Sequence, residues 1–230
     1  MRTAWRRLLV PAISTVLMLA VLIGLGTWQV YRLRWKQGIL DQVATAEAAP
    51  PIPLQADPAP YTKVSVTGRF RFDKVAQFGA EVRDLKAGPT MGYQQLVPLQ
   101  RDGKPPVLVD RGWVPQRRTI PLDNPPGDVT VTGYVRPREV QHWFSPTDDS
   151  EVRQFYTLDP AAIGAAIGAP NLVPFTLVAL GTSQPETYPA PETHLPRPPN
   201  NHLSYVITWY GLAVALAVIF GVWARKAIGT

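Results

Sequence analysis

The sequence contains no cysteine among its 230 residues and only three histidines, at positions 142, 194 and 202. The missing thiols exclude disulfides, thiolate metal sites and thiol nucleophiles. The sequence also has no Gly-rich phosphate loop, no Gly-x-Ser-x-Gly elbow and no histidine pair at metal-binding spacing. These absences argue against a hydrolase or a metalloenzyme, and we predict that the protein is not an enzyme and has no catalytic residues.

Charge is absent from two long runs of the chain. Leu8 to Val30 forms 23 residues without a charge, and Tyr205 to Ala224 forms another 20. Each run matches the roughly 20 apolar residues that a helix needs to cross a bilayer. We therefore predict transmembrane helices at 8–30 and 205–224, with segments 1–7, 31–204 and 225–230 outside the bilayer.

Basic residues beside the second run predict the orientation of the chain. Arg225 and Lys226 follow this run directly, whereas the residues just before it carry only Arg197 and the acidic Glu192. Cytoplasmic flanks are enriched in Lys and Arg, so both termini are expected in the cytoplasm and segment 31–204 in the periplasm. The first run exceeds the apolar core of a cleaved signal, and no Arg- and Ser-rich presequence precedes it. An uncleaved anchor in a bacterial inner membrane is the resulting prediction.

The formal net charge of +6 does not indicate a nucleic-acid-binding protein. The positive charges are scattered rather than clustered on one segment. Five of them flank the two apolar runs: Arg2, Arg6, Arg7, Arg225 and Lys226.

The central segment has the pattern of a β-rich domain. Short alternating or apolar runs, bounded by Gly, Pro and Asp, predict strands at 61–72, 93–99, 106–109, 129–136, 153–158 and 172–180. Asp102 and Gly103 have the signature of a hairpin turn between two of these strands. We expect a mostly antiparallel sheet.

Two helical pieces and two Pro-rich segments complete the domain. Asp159 and Pro160 predict the start of a helix that extends to Ile167, and the first span is expected to continue as helix to about Ala48. The Pro-rich segments 50–60 and 184–199 are either extended tethers or surface loops. The predicted fold class is an α+β membrane protein, with two terminal transmembrane helices flanking a mostly antiparallel β domain that carries one or two helices.

Aromatic and basic residues lie at the outer end of the first span. Trp28, Arg32 and Trp35 are spaced i, i+4 and i+7, so a continuous helix places a guanidinium and two indoles on one face. An interfacial aromatic belt with a snorkelling Arg is the alternative interpretation.

The second span begins with a similar group. His202, Tyr205 and Trp209 share a helical face by their i, i+3 and i+7 spacing. An imidazole among aromatics suits an axial haem ligand, with Arg32 near the propionates; a hydrogen-bonded interface histidine is the alternative. We expect small residues to let the spans approach closely and join the two groups in one pocket. These residues are Gly24, Gly211 and Ala215.

One block of the domain combines charge with an indole. Val107 to Val109 predicts a buried strand, and Asp110, Arg111, Gly112 and Trp113 are expected where this strand ends in a turn. The block is either a structural turn or a functional surface, in which Arg111 and Trp113 contact a partner or Arg111 faces a haem propionate.

Ordered blocks along the chain together resemble the Surfeit locus protein 1 family. They are Leu25-Gly26-Thr27-Trp28-Gln29-Val30-Tyr31-Arg32-Leu33-Arg34-Trp35-Lys36, Val66-Thr67-Gly68-Arg69-Phe70, Gly92-Tyr93 with Val97-Pro98-Leu99, Val107-Leu108-Val109-Asp110-Arg111-Gly112-Trp113-Val114-Pro115, Gly133-Tyr134-Val135-Arg136, Asn201-His202-Leu203-Ser204-Tyr205 and Thr208-Trp209-Tyr210-Gly211-Leu212. One block, residues 153–159, departs from the family pattern.

This resemblance implies an assembly factor for a haem-copper terminal oxidase, cytochrome c oxidase, that acts while haem a is installed. The implied partners are the catalytic subunit of the oxidase and the haem a synthesis machinery, besides the lipid bilayer. The implied haem ligand is His202, with Tyr205, Trp209, Trp28 and Arg32 as further cofactor-binding candidates. The alternatives are a colourless scaffold that stabilises an oxidase intermediate and a membrane-anchored enzyme of the cell envelope.

Overall fold

The computed structural model describes residues 2–86, 88–182, 184–197 and 199–229. Its elements are, in chain order, α1 (Arg2–Ala48), β1 (Ile52–Pro53), β2 (Lys63–Phe70), β3 (Ala76–Leu85), β4 (Gly88–Arg101), β5 (Lys104–Pro115), β6 (Asp128–Pro137), β7 (Gln154–Phe155), α2 (Pro160–Ala166), β8 (Phe175–Ala179) and α3 (His202–Gly229). The chain divides into a helical unit, Met1–Gln42 with Arg197–Thr230, and a β-rich unit, Val43–Pro196.

The helical unit contains both predicted transmembrane helices. Helices α1 and α3 each carry a segment long and apolar enough to cross a membrane. Only 11% of the most apolar 18-residue stretch of α1, and 6% of that of α3, is buried in protein. A core helix of a water-soluble protein would be mostly buried, whereas lipid-facing helices leave their apolar side chains outward. The prediction of two spans is confirmed.

Helix α1 does not stop where its apolar run ends. It continues without a break to Ala48, as predicted, and its 47 residues make it about 70 Å long at 1.5 Å per residue. Pro50 and Pro51 follow directly, and a proline pair cannot extend a helix because neither residue has a backbone N–H to donate. Its last residues belong to the β-rich unit, where Val43 and Ala46 pack against buried side chains.

The strands of the β-rich unit form one sheet in the order β1-β2-β6-β8-β5-β4-β3-β7. An additional pairing of β2 with β4 closes β2, β6, β8, β5 and β4 into a five-stranded ring. All five of these strands contribute to one apolar cluster, because alternate residues of a strand point to the same face. Its buried members are Val64, Val66, Leu99, Val107, Val109, Val135, Phe175 and Leu177.

A second cluster packs the short helix α2 against the sheet. Ile163 and Ile167 are buried against Leu96 and Leu108. The Asp159 carboxylate accepts a hydrogen bond from the Ala161 backbone N–H at 3.0 Å, which caps the helix as the sequence predicts.

Most of the predicted strands are confirmed, as are the hairpin turn at Asp102 and Gly103 and the mostly antiparallel pairing. Two expectations differ from the structure. Strand β3 was not predicted, and the strand expected at 153–158 is reduced to the two residues of β7.

The Pro-rich segments lie against the sheet unit instead of extending away from it. Ile52 pairs with Val64, and Leu54 donates its backbone N–H to Ser65 at 3.0 Å. In the second segment the side chain of Leu195 is fully buried. The contacts favour packed surface loops over tethers, and the compact β-rich unit covers 43–196.

Candidate functional site at the contact of α1 and α3

Helices α1 and α3 meet through one face of each. On α1, Leu22, Gly26 and Gln29 are buried, and on α3 Ala213 is buried. A Cβ atom on Gly26 would lie 3.0 Å from the ring of Tyr210, so only glycine fits there without displacement of the tyrosine. The small residues at this contact are therefore Gly26 and Ala213.

The contact predicted through Gly24, Gly211 and Ala215 is wrong. All three residues are exposed, and a Cβ on either glycine would meet nothing within 4 Å. The reason is helical periodicity: Gly24 lies two residues from both Leu22 and Gly26, and so about 200° around the helix from each.

Two hydrogen bonds join the helices across this contact. His202 Nδ1 lies 2.7 Å from Gln29 Oε1, and Thr27 Oγ1 lies 3.0 Å from the Tyr210 hydroxyl. Since Thr27 Oγ1 already donates to the Ile23 carbonyl at 2.8 Å, the Tyr210 hydroxyl is the donor in the second bond. The buried Gln29 and the partly buried Thr27 of α1 thus find polar partners on α3.

The bond to Gln29 defines which nitrogen of His202 carries a hydrogen. A carboxamide oxygen only accepts, so Nδ1 must donate, and in the neutral ring Nε2 then keeps its lone pair. No partner of Nε2 is found among the residues that the structure describes. Metal-binding histidines commonly have this arrangement, in which a hydrogen bond from one nitrogen orients the other toward the metal.

The predicted aromatic neighbours are only partly brought to His202. Trp209 is half-buried on α3, whereas Tyr205 and Trp28 are 53% and 54% exposed. The Arg32 guanidinium lies 4.3 Å above the Trp35 ring, on an exposed part of α1. Gln29 is thus the α1 residue that forms a hydrogen bond with His202.

Sequence reasoning overlooked Gln29 and Tyr210. Gln29 did offer a signal, because it is an amide near the end of an apolar run, and polar side chains in transmembrane helices usually face a protein partner. Tyr210 offered no signal beyond its position in the second span.

The second predicted site lies in strand β5, and the expectation of a turn after Val109 is wrong. The strand continues to Pro115, and residues 111 and 112 together oppose Gln95 of β4, which is a β-bulge. Gly112 permits this bulge, with φ of 116° and no room for a Cβ, which would lie 2.0 Å from the Ala190 carbonyl oxygen.

Arg111 is held by neutral acceptors beside the bulge. Its guanidinium donates to Gln95 Oε1 and to Asn124 Oδ1, each at 3.0 Å, and to the Asp123 carbonyl. Two further residues, Phe70 and Phe72, place their rings 4.9 and 5.0 Å from it. Burial lowers the pKa of Arg111 to about 10, and the Asp123 charge opposes this effect. These contacts fix the loop at 123–124 against the sheet.

Trp113 is part of the core. Its side chain is 1% exposed, donates from Nε1 to the Glu81 carbonyl at 3.2 Å and packs edge-on against Tyr188. The buried ring has a structural role in this conformation, and the partner contact expected from it stays a prediction.

Asp110 is a buried carboxyl group in the same strand. It is 3% exposed and accepts one hydrogen bond, from the Gly112 backbone N–H at 3.0 Å. Burial raises the pKa of Asp110 from 3.8 to about 7, although this hydrogen bond and the charge of Arg136 act in the opposite direction. The strand therefore holds a carboxyl group that favours its protonated form.

In the described part of the chain, no group of three or more His, Cys, Asp or Glu side chains is arranged to hold a metal ion. The chain is therefore a two-span membrane protein with a β-rich domain between its spans in sequence. A hydrogen bond between a histidine and a glutamine joins the two spans, and this histidine is the one imidazole at their described contact.

A model of the SURF1 family matches residues 16–214, and the chain belongs to this family. It is 31% identical to a SURF1-like protein of Rickettsia felis, over 90% of this chain and 94% of that protein. It is also 29% identical to the Surfeit locus protein 1 of Takifugu rubripes, over 97% and 96% of the two chains. Identity to the human Surfeit locus protein 1 is 28%, over 96% of this chain and 76% of the human protein.

Proposed function

We propose that this protein is an assembly factor for a haem-copper terminal oxidase that binds haem a through His202 and delivers it to the catalytic subunit. The observation that supports this proposal is the 2.7 Å bond between His202 Nδ1 and Gln29 Oε1, which leaves the lone pair of Nε2 available. An axial haem ligand is usually a neutral imidazole whose other ring nitrogen donates a hydrogen bond that orients the ring.

The residues around His202 fit a haem group in their chemistry. His202 is partly exposed, and Trp209, two turns along the same face of α3, offers an apolar ring surface. When bound, haem a would supply the iron for coordination and the group to be transferred. Gln29 holds the imidazole in the coordinating tautomer, and the Gly26–Tyr210 contact holds the two helices together.

Absorbance of the purified full-length protein, after co-expression with haem a synthesis enzymes, tests this proposal. His202→Ala should abolish the haem a spectrum, because alanine has no lone pair and the chain has no cysteine to replace the imidazole. Gln29→Leu should lower haem a affinity by about 10- to 100-fold, the usual effect of removing the partner of a metal-binding histidine. Exposed His142 and His194 provide matched controls, and their alanine variants should retain the spectrum.

A colourless scaffold is the second candidate, and one observation favours it. Trp28 is 54% exposed, and the contact found for the Arg32 guanidinium among the described residues is with the Trp35 ring, at 4.3 Å, and not with a group at His202. In that case His202 and Gln29 would serve only to join the helices. A His202→Ala protein that keeps an unchanged haem a spectrum, or a wild-type protein that stays colourless beside abundant haem a, would support the scaffold and contradict the ligand role.

We further propose that the protein lies in a bacterial inner membrane with both termini in the cytoplasm and the β-rich unit in the periplasm. Arg225 and Lys226 near the end of α3 support this orientation through the positive-inside rule. Reporter fusions at residues 120 and 230 should give periplasmic and cytoplasmic signals respectively. A cytoplasmic signal at 120 would contradict both the orientation and the proposed role.

For the contact with the oxidase, the loop after β6 offers a better-exposed surface than Trp113. Trp143 and Phe144 are 95% and 72% exposed, and their rings pack edge-on at 5.4 Å. The base of this loop is ordered by Asp148, whose carboxylate accepts from two backbone N–H groups at 2.6 and 3.2 Å. Rigid exposed aromatics are typical anchors in protein interfaces.

Co-purification of the catalytic subunit tests this surface. Trp143→Ala should reduce the recovered subunit without a change in thermal stability, because the side chain has almost no contact with its own domain. Val152→Ala, also at an exposed position of the loop, is the control and should have no effect. Full recovery of the subunit with Trp143→Ala would move the contact to another surface, with Arg111 as the next residue to replace.

A further inference from the structure

The outward face of α1 carries three aromatic side chains just beyond the apolar run. Trp28, Tyr31 and Trp35 are 54%, 68% and 52% exposed. Exposed indole and phenol rings at the end of a transmembrane helix are characteristic of the lipid–water interface. This face is distinct from the face that packs on α3, which contains Leu22, Gly26 and Gln29.

Helical geometry separates the two faces. At 100° per residue, Trp35 lies about 120° around the helix from Gln29, which contacts α3. Lys36 lies about 20° from Gln29 around the axis, but two turns farther along it. Along the helix axis Arg32 lies between Trp28 and Trp35, and its guanidinium stacks on the Trp35 ring at 4.3 Å. Lys36 approaches the same ring, with Nζ 5.8 Å from its centroid. One indole is thus bordered by two cations.

These cations have no carboxylate partner in the part of the chain that the structure describes. Neither Arg32 nor Lys36 forms an ion pair there, and no acidic residue occurs between the apolar run and Asp41. The positive charges of Arg32 and Lys36 are therefore not neutralised by a carboxylate of the described residues. An anionic group from outside the chain would complete the arrangement.

The Cα of Arg32 lies at the height of the headgroup layer, and that of Lys36 lies just above it. Arg32 lies two residues beyond Val30 and Lys36 six, which corresponds to about 3 and 9 Å along the axis at 1.5 Å per residue. The headgroup region is about 5–7 Å thick on each side of a bilayer. The flexible side chains of Arg and Lys can adjust their heads by several ångströms.

We propose that Arg32 and Lys36, which both approach the ring of Trp35, bind the phosphate of an anionic phospholipid whose acyl chains lie along the apolar part of α1. The lipid satisfies the cations, the indole packs on its glycerol region, and the bound headgroup fixes the depth of α1 in the membrane. This assigns Arg32 to a lipid and not to the surroundings of His202. The proposal does not depend on haem binding.

Native mass spectrometry of the full-length protein, released from micelles containing phosphatidylglycerol or phosphatidylcholine, tests this site. We expect a retained phosphatidylglycerol molecule and no retained phosphatidylcholine. Arg32→Gln and Lys36→Gln should each weaken phosphatidylglycerol binding about five-fold, the usual contribution of one basic residue near an anionic membrane. Trp35→Leu should also weaken it, because leucine cannot stack on the guanidinium.

Arg34→Gln is the matched control. It removes the same charge from the same helix turn, but the cations found over the Trp35 ring in the described residues are Arg32 and Lys36, at 4.3 and 5.8 Å, and not Arg34. Phosphatidylglycerol binding by this variant should therefore match that of the wild type. Circular dichroism should show equal helix content in all variants. Equal weakening by Arg34→Gln would indicate general charge attraction and would overturn the site, as would equal retention of phosphatidylcholine.

Inorganic phosphate distinguishes a lipid site from a simple anion site. Millimolar phosphate should not displace the lipid, because the acyl chains contribute apolar contacts that free phosphate lacks. Displacement by phosphate at these concentrations would overturn the lipid assignment. Lipid binding does not involve His202, so the His202→Ala protein should retain phosphatidylglycerol as the wild type does. Failure of the haem-ligand proposal can therefore be distinguished from failure of the lipid-site proposal.

Discussion

Replacement of Asp110 by asparagine tests whether a buried carboxyl group controls the pH dependence of domain stability. Asp110 is 3% exposed and accepts one hydrogen bond, from the Gly112 backbone N–H. Asparagine has nearly the same shape, and its Oδ1 can accept the same hydrogen bond. The substitution therefore removes the ionisation while it preserves the packing.

The sign of the effect follows from the direction of the shift. Burial raises the pKa of Asp110 from 3.8 to about 7, so the folded chain holds this proton more tightly than the unfolded chain does. Between about pH 4 and pH 7 the folded state then binds more protons, and its free energy of unfolding falls as the pH rises. At about 1.4 kcal/mol per pKa unit, the loss reaches at most about 4 kcal/mol above pH 7.

Thermal unfolding of the full-length protein in detergent, followed by near-ultraviolet circular dichroism at pH 5 and pH 8, measures this effect. Asp110→Asn should be more stable than the wild type by about 1–2 kcal/mol at pH 5 and by up to about 4 kcal/mol at pH 8, so its own stability should differ less between the two conditions. Asp102→Asn, in the exposed hairpin turn, is the control and should keep the wild-type pH dependence. Identical pH dependence in the Asp110→Asn and wild-type proteins would refute the reasoning.

Three further predictions concern packing and are measured by the same thermal unfolding or by haem retention. Gly112→Ala should destabilise the domain by more than about 2 kcal/mol, because its φ of 116° and the adjacent carbonyl exclude a Cβ, whereas Gly103→Ala, with open space, should cost about 1 kcal/mol. Gly26→Leu should separate the two membrane helices and lower haem a retention, and Gly24→Leu, which meets nothing within 4 Å, should not. Trp113→Ala should lower the free energy of unfolding by about 3–5 kcal/mol relative to the wild type, because the indole is 1% exposed. Equal stability of the Gly112 and Gly103 variants, equal haem retention by the Gly26 and Gly24 variants, or wild-type stability of Trp113→Ala would each contradict the assigned packing.

The fold was predictable where local chemistry and tertiary packing agree. Asp102-Gly103 predicts its hairpin because the turn needs a residue with positive φ, and Gly103 has φ of 63°. Strand β3 was not predicted because it carries charged residues and is largely exposed, so neither of its faces has the apolar alternation that indicates a strand. The block at Gly112 resembles a turn in sequence, but its glycine serves a bulge inside a long strand.

The helix contact was less predictable than the fold. In a water-soluble helix the apolar face marks the packed side, but a transmembrane helix is apolar all round, so its packed side carries no such mark. Aromatic spacing places His202 and Trp209 on one face of α3, but it could not show that Gln29 is the α1 residue that bonds to His202. That information came only from the pairing of both helices, through residues far apart in sequence.

The bond between Gln29 and His202 connects the requirements of folding with those of chemistry. Each side chain alone would place an unsatisfied polar group beside apolar surface, so the pair favours the arrangement in which α1 and α3 lie together. The same bond requires Nδ1 of the imidazole to donate, which leaves Nε2 as the nitrogen with a lone pair. A single amide near the end of the first apolar run thus joins the two spans and selects the form of histidine that can coordinate a metal. A ligand of this kind is complete only when both ends of the chain are inserted side by side.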